Sequence, residues 1–103
     1  MANEVEPKAM EVIKQKEAVI DELNEVNKEL LQAIINYKQI KARLWLDTDF
    51  EEVLDKKRPT VDEKKAYVTA HSIVHFEQRE KVKYQKEILL KQLDLCDSKL
   101  EYL

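Results

Sequence analysis

The chain has 103 residues, of which 44% are hydrophobic and 38% charged, and it contains no glycine. That length allows one domain, residues 1–103, and the missing glycine excludes glycine-rich phosphate-binding loops and disfavours all-β folds with tight hairpins. The formal net charge of -3 provides no overall attraction to nucleic acid or to an anionic membrane.

The compartment is predicted from three absences in the sequence. No apolar run approaches the roughly 20 residues that span a bilayer, and the first ten residues lack the pattern of a signal peptide. The single cysteine, Cys96, cannot form an internal disulfide, which favours a reducing compartment. We therefore expect a cytoplasmic protein with no membrane partner.

The first predicted element is a helix of about residues 5–46, because apolar side chains recur in heptads. One line of positions, seven residues apart, consists of Val5, Val12, Val19, Val26, Ala33 and Ile40. A second line, four residues after each of these, consists of Ala9, Lys16, Leu23, Leu30, Tyr37 and Leu44. Lys16 is the one polar residue in either line, and a single polar position of this kind sets register or partner number.

Apolar residues on this helix extend beyond the two lines. Around residues 30–35, with the sequence LLQAII, more than half of the circumference is apolar, and Leu31 and Ile35 point away from the seam. A helix of this kind contacts more than one neighbour. The surplus predicts a homo-oligomer, a dimer or larger; the alternative is that the connector covers this patch in a monomer.

The second predicted element is a structured connector, about residues 47–60. Thr48 and Glu51 have the spacing of a capping box, which predicts a short helix, and Trp45 and Phe50 are expected to pack beside it. Thr60 and Glu63 form a second predicted capping box, where the last helix begins.

The last predicted element is a helix of about residues 61–103. Its end has a seam with spacings of four and three, and its middle offers Val82 and Tyr84 to a core. The residues of that seam are Leu89, Leu93, Cys96, Leu100 and Leu103. Two helices of nearly equal length on either side of a connector predict an all-α, antiparallel, coiled-coil-like helical hairpin. Helices that swap partners between two chains are the alternative.

The connector and its flanks resemble a known group of proteins. The segments are RLWLDTDFEEVL and KKRPTVDEKKAYV, within a region from about Tyr37 to Val68. They are similar to segments of small coiled-coil proteins of unknown function encoded by phages and prophages of Gram-positive bacteria. The resemblance implies a phage or prophage origin, a bacterial host cytoplasm and neighbouring genes for early DNA metabolism. It carries over no catalytic residue.

Two histidines and the cysteine are the candidates for chemistry. His71 and His75 are four residues apart, which puts them on one helical face, but no third ligand lies at metal-binding spacing. We interpret them as interfacial histidines. Cys96 lies in the predicted seam, where a thiol is typically a small core residue. The sequence therefore predicts no catalytic residue, no metal, no cofactor and no enzyme activity.

The basic cluster of Lys56, Lys57 and Arg58, with Lys64 and Lys65 beyond it, is the candidate for contact with phosphate. Seven acidic residues surround it, so intramolecular ion pairing is favoured over nucleic-acid binding. The predicted function is a non-enzymatic interaction protein that binds itself and another protein; the alternative is a nucleic-acid-associated accessory protein of phage DNA replication or recombination. The residues predicted to contact partners are Leu31, Ile35, Trp45, Phe50, Lys56, Lys57 and Arg58.

Overall fold

The computed structural model describes residues 2–103, with side chains from Glu6 onward, and within that range every regular element is a helix. The helices are α1 (Ala2–Asp47), α2 (Phe50–Val53), α3 (Val61–His71) and α4 (Ile73–Glu101). The all-α prediction is confirmed. The side chain of Val5, the first position of the predicted heptads, lies outside the described residues. None of the helices in the described range combines the length and apolarity that a bilayer crossing requires.

The internal contacts divide the chain into two compact units. The first unit joins the part of α1 up to Leu30 with Val82–Leu103, and the second unit is Leu31–Lys81. In the first unit Lys16 of α1 pairs with Asp97 of α4, and in the second unit Tyr37 of α1 packs on Phe76 of α4. Later residues of α1 therefore contact earlier residues of α4, and the predicted antiparallel hairpin is confirmed. The grouping of all 103 residues as one domain stays a prediction.

The first unit is held by residues of the predicted apolar lines and by an ion pair between its two helices. Leu23 on α1 is buried, as are Leu89 and Cys96 on α4. The Lys16 ammonium lies 2.6 Å from the Asp97 carboxylate, which joins the two helices. Because both side chains are partly exposed, the pair contributes about 1 kcal/mol at most to stability. Its main effect is to align α1 with α4.

The second unit contains a half-buried aromatic pair that joins α1 to α4. The rings of Tyr37 on α1 and Phe76 on α4 lie 5.8 Å apart, and the guanidinium of Arg79 lies 4.9 Å from the Tyr37 ring and 5.1 Å from the Phe76 ring. Arg79 also pairs with Glu80 at 3.1 Å. A guanidinium stacked on rings keeps its charge near solvent while its stem adds apolar contact area.

The predicted last helix of about 61–103 is interrupted at Ser72, which is a correction. The Ser72 hydroxyl donates to the Val68 carbonyl at 2.6 Å, and the Ser72 N–H donates to the same oxygen at 3.0 Å and to the Thr69 carbonyl at 3.3 Å. Ser72 is also 1% exposed. A buried serine hydroxyl competes for helical carbonyls and bends the helix, whereas the heptad spacing passes through the break unchanged.

The seam of α3 and α4 includes polar positions that sequence analysis did not assign to it. With spacings of four and three, it runs from Val68 through Ser72, His75 and Arg79 and continues through Lys86, which is half-buried. Tyr84, predicted as a core residue, is exposed, so that prediction is wrong. The aliphatic stem of a lysine can line a seam while its ammonium reaches water.

The capping box predicted at Thr48 and Glu51 is corrected, and the one predicted at Thr60 and Glu63 is confirmed. The side chain of Asp49, not of Thr48, caps α2 by accepting from the Glu52 N–H at 3.3 Å. At α3, the Thr60 hydroxyl accepts from the Glu63 N–H at 3.1 Å, and the Glu63 carboxylate accepts from the Thr60 N–H at 3.3 Å. This reciprocal pair is the predicted capping box.

The connector makes its two sharpest turns without glycine. After α2, the Lys56 N–H donates to the Glu51 carbonyl at 3.2 Å and the Asp55 N–H to the Glu52 carbonyl at 3.3 Å, which is the Schellman pattern. Asp55 has a φ of 48°, and Arg58, before Pro59, has a φ of 55°. Positive φ costs a residue with a Cβ on the order of 1 kcal/mol or more, so surrounding contacts stabilise both turns.

Candidate interaction surface

Phe50 is the centre of an aromatic cluster that fixes the connector against α1 and α3. It is 8% exposed. Its ring lies 5.9 Å from the Trp45 ring and 5.8 Å, edge-on, from the Tyr67 ring, with the Lys64 ammonium 5.6 Å away. Offset and edge-on pairs of this kind are favourable beyond the area they bury. Phe50 was predicted to contact partners, but it is buried and its ring packs against the ring of Trp45.

A hollow of about 580 Å³ opens beside Trp45, between α1 and α3. We call it the Trp45 hollow. Trp45 itself is 40% exposed and its neighbour Leu46 is 79% exposed. The residues that line the hollow are Lys41, Ala42, Trp45, Leu46, Lys65, Val68 and Thr69. The apolar lining and the exposed indole make it a candidate binding site.

A second exposed apolar feature lies at the start of the same unit. Leu31 is 60% exposed and Ile35 is 38% exposed. They are four residues apart and therefore neighbours on one face of α1, with half-buried Ile34 beside them. We call these three residues the α1 face. Trp45 continues the line of Leu31, two heptads further along the helix.

The basic cluster of the connector is partly neutralised by neighbouring acids. The Lys56 ammonium lies 2.7 Å from the Glu63 carboxylate. This hydrogen bond, and then the one from the Thr60 backbone, holds the pKa of the Glu63 carboxyl below its ordinary value of 4.5. Lys57 and Arg58 are exposed. Lys56 therefore takes part in the intramolecular ion pairing that the sequence favoured over phosphate contact.

The two histidines lie at another hollow of the second unit, of about 390 Å³. The ring of His71 stacks on Tyr67, with centroids 4.0 Å apart, and His75 is half-buried. The hollow is lined by Ile40, Arg43, Leu44, Asp47, Thr48, His71 and His75. Among the residues whose side chains are described, no three His, Cys, Asp or Glu side chains are grouped as metal ligands. Cys96 is buried, as its place in the predicted seam indicated.

The structure separates the predicted partner residues into distinct places. Leu31 and Ile35 lie together on the α1 face, Trp45 lies in its hollow, and Lys56–Arg58 belong to the turn after α2. Of the two charged residues of the hollow, Lys41 was not predicted to contact a partner, and Lys65 was considered only beside the basic cluster of the connector. The spacing of Lys41, four residues before Trp45, already placed it on the same helical face. Nothing in the sequence indicated that Lys65 would lie opposite.

Comparison of the chain with protein-family models, curated proteins and solved structures yields no match. The exposed surfaces of the second unit are therefore the basis for assigning a function.

Proposed function

We propose that this chain is a non-enzymatic interaction protein, which associates with a second copy through the α1 face and with another protein at the Trp45 hollow. A phage or prophage origin, implied by the resemblance of residues 37–68, is part of the same proposal. The observation that supports it is the amount and grouping of exposed apolar surface.

Exposed apolar side chains outnumber the buried ones among the described residues. Seventeen large hydrophobic residues are exposed, whereas eight hydrophobic residues form the buried core. Single exposed apolar residues are ordinary on a protein surface, but contiguous ones mark interaction sites. On the α1 face, Leu31 and Ile35 are contiguous, and Trp45 lies further along the same helix beside exposed Leu46. This grouping is the reason for assigning an interaction role.

The two places differ in shape, which supports two different roles. The α1 face is a convex stripe on a regular helix, which a second helix of the same kind can cover in coiled-coil fashion. The Trp45 hollow is concave and contains an aromatic anchor, and Trp is enriched among residues that dominate binding energy. We therefore assign self-association to the former and an external partner to the latter.

The experiment is a measurement of solution mass by light scattering coupled to size exclusion, over a dilution series. We expect the wild-type chain to be a dimer or larger. The variant with Leu31→Glu and Ile35→Glu should dissociate, because charging two interfacial side chains that each contribute about 1.5 kcal/mol or more raises the dissociation constant by at least about 100-fold.

The matched control is the variant with Gln32→Glu and Asn36→Glu. It adds the same two carboxylates at the same spacing, one position further along the helix, at exposed residues beside the α1 face. The control should keep the wild-type mass, and far-UV circular dichroism should show that all three chains are equally helical. A wild-type monomer at every concentration, or an unchanged mass for the Leu31 and Ile35 variant, would contradict self-association through this face.

A further inference from the structure

The Trp45 hollow combines an apolar floor with a positively charged rim. We propose that it binds an acidic amphipathic helix of another protein, with a bulky apolar side chain over Trp45 and carboxylates against Lys41 and Lys65. The inference rests on the proposed function, since it names the chemistry of the partner that this interaction protein takes.

The floor of the hollow is large and held in place before any partner arrives. Its volume of about 580 Å³ admits one bulky side chain together with part of the helix that presents it. The Trp45 ring packs on Phe50 at 5.9 Å, and Phe50 packs on Tyr67 at 5.8 Å. Because this aromatic stack already fixes the indole, binding loses little side-chain entropy at the anchor.

The rim of the hollow selects the charge of its partner. Although the chain has a net charge of -3, the residues that line the hollow include two lysines and no carboxylate. Three other hollows among the described residues each contain at least one acid. Neither Lys41 nor Lys65 has a carboxylate within 4.0 Å among the described side chains. The Lys41 ammonium lies over the Tyr37 ring, 5.1 Å from its centroid. Both lysines can therefore pair with a carboxylate of the partner.

The position of the two lysines favours a helix over a compact ligand. Lys41 lies on α1 and Lys65 on α3, so the positive charges stand on opposite walls of a groove between two helices. Exposed Lys38, three residues before Lys41 on the same helix, extends the basic wall by about 5 Å. An amphipathic helix that lies in such a groove places one apolar side chain over Trp45 and carboxylates on both sides of it. Carboxylates at i, i+3 and i+4 spacing can reach the lysines of both walls.

The experiment uses the fluorescence of Trp45, the only tryptophan of the chain. The probes are synthetic helical peptides without tryptophan or tyrosine, each with one central leucine flanked by glutamates. We expect saturable binding that shifts the Trp45 emission to shorter wavelength. A peptide with lysines in place of the glutamates should not bind, and one with alanine in place of the leucine should bind at least about tenfold more weakly.

Charge reversal in the protein tests the role of the rim. The variant with Lys41→Glu and Lys65→Glu should bind the lysine-flanked peptide and reject the acidic one. A matched control with Lys14→Glu and Lys83→Glu, at exposed lysines outside the hollow, should keep the wild-type preference. A reversed preference cannot result from unfolding, so this variant remains informative even if its stability is lower.

Several outcomes would overturn the inference. They are equal binding of acidic and basic peptides, no emission change with any peptide, or a shift caused by a fatty-acid carboxylate and by none of the peptides. An emission change on dilution of the protein alone would identify a second copy as the occupant. The mass measurement on the Leu31 and Ile35 variant keeps the two proposals distinguishable. Dissociation without peptide binding refutes only the inference, and peptide binding with unchanged mass refutes only self-association.

Discussion

Replacement of Phe50 by alanine should remove the ring that packs against Trp45 and holds the connector in place. The phenyl ring is 8% exposed and forms two aromatic pairs. Loss of a buried phenyl costs about 2 kcal/mol in transfer free energy, and each aromatic pair adds about 0.5 to 1.5 kcal/mol. We expect Phe50→Ala to lower the free energy of unfolding by about 3 to 4 kcal/mol, near the lower end for this substitution because the connector can partly collapse onto the site.

The assay is urea denaturation, followed by far-UV circular dichroism and by Trp45 fluorescence. The fluorescence reports the second unit directly, so a local loss of structure there is detected even if the two transitions separate. Val53→Ala is the matched control, because Val53 belongs to the same short helix but is exposed. It should change stability by about 0.5 kcal/mol or less. Equal effects of the two substitutions would refute the burial of Phe50.

Two further predictions concern the ends of the short helices. Because its pKa is lowered in the folded state, Glu63 contributes stability that is present above its ordinary pKa of 4.5 and is lost as the pH falls through the lower folded value. Urea midpoints should therefore be higher for wild type than for Glu63→Gln above about pH 5, and should converge below the ordinary pKa; a constant gap down to about pH 3 would contradict this. Asp55→Gly should raise stability by about 0.5 kcal/mol, because glycine adopts the positive φ at no steric cost. Asp62→Gly, the same change inside the first turn of α3, should lower stability by about 1 kcal/mol; equal effects of both glycines would refute the strain at Asp55.

Part of the candidate surface was predictable because it depends on one helix. Leu31 and Ile35 were assigned to an exposed face from their positions outside the two heptad lines, and the structure exposes both. Trp45 was selected as a partner residue for its chemistry. The hollow itself was not predictable, because its second wall comes from Lys65, Val68 and Thr69 on another helix. Spacing along a sequence does not encode which residues of two helices meet.

The misplaced residues show where local rules compete. Thr48 and Asp49 are both good caps. The structure uses Asp49, the residue directly before Phe50, whose ring packs on Tyr67. Tyr84 is apolar enough for a core, yet Lys86 occupies the seam because only its position keeps the spacing of four and three from Val82 to Leu89.

Most of the helical segments, their apolar lines and the capping box at Thr60 were predictable from the chain alone. These features depend on spacing and on hydrogen bonds between near neighbours. Three features appear only once the segments pack together: the break at Ser72, the pairing of Lys16 with Asp97 and the exposure of Trp45. Each of these depends on burial, which is a property of the surfaces that two segments present to each other. A hydroxyl, an ammonium or an indole can form the same polar interactions wherever it lies in the chain. The neighbouring segment decides whether water or protein groups provide the partner.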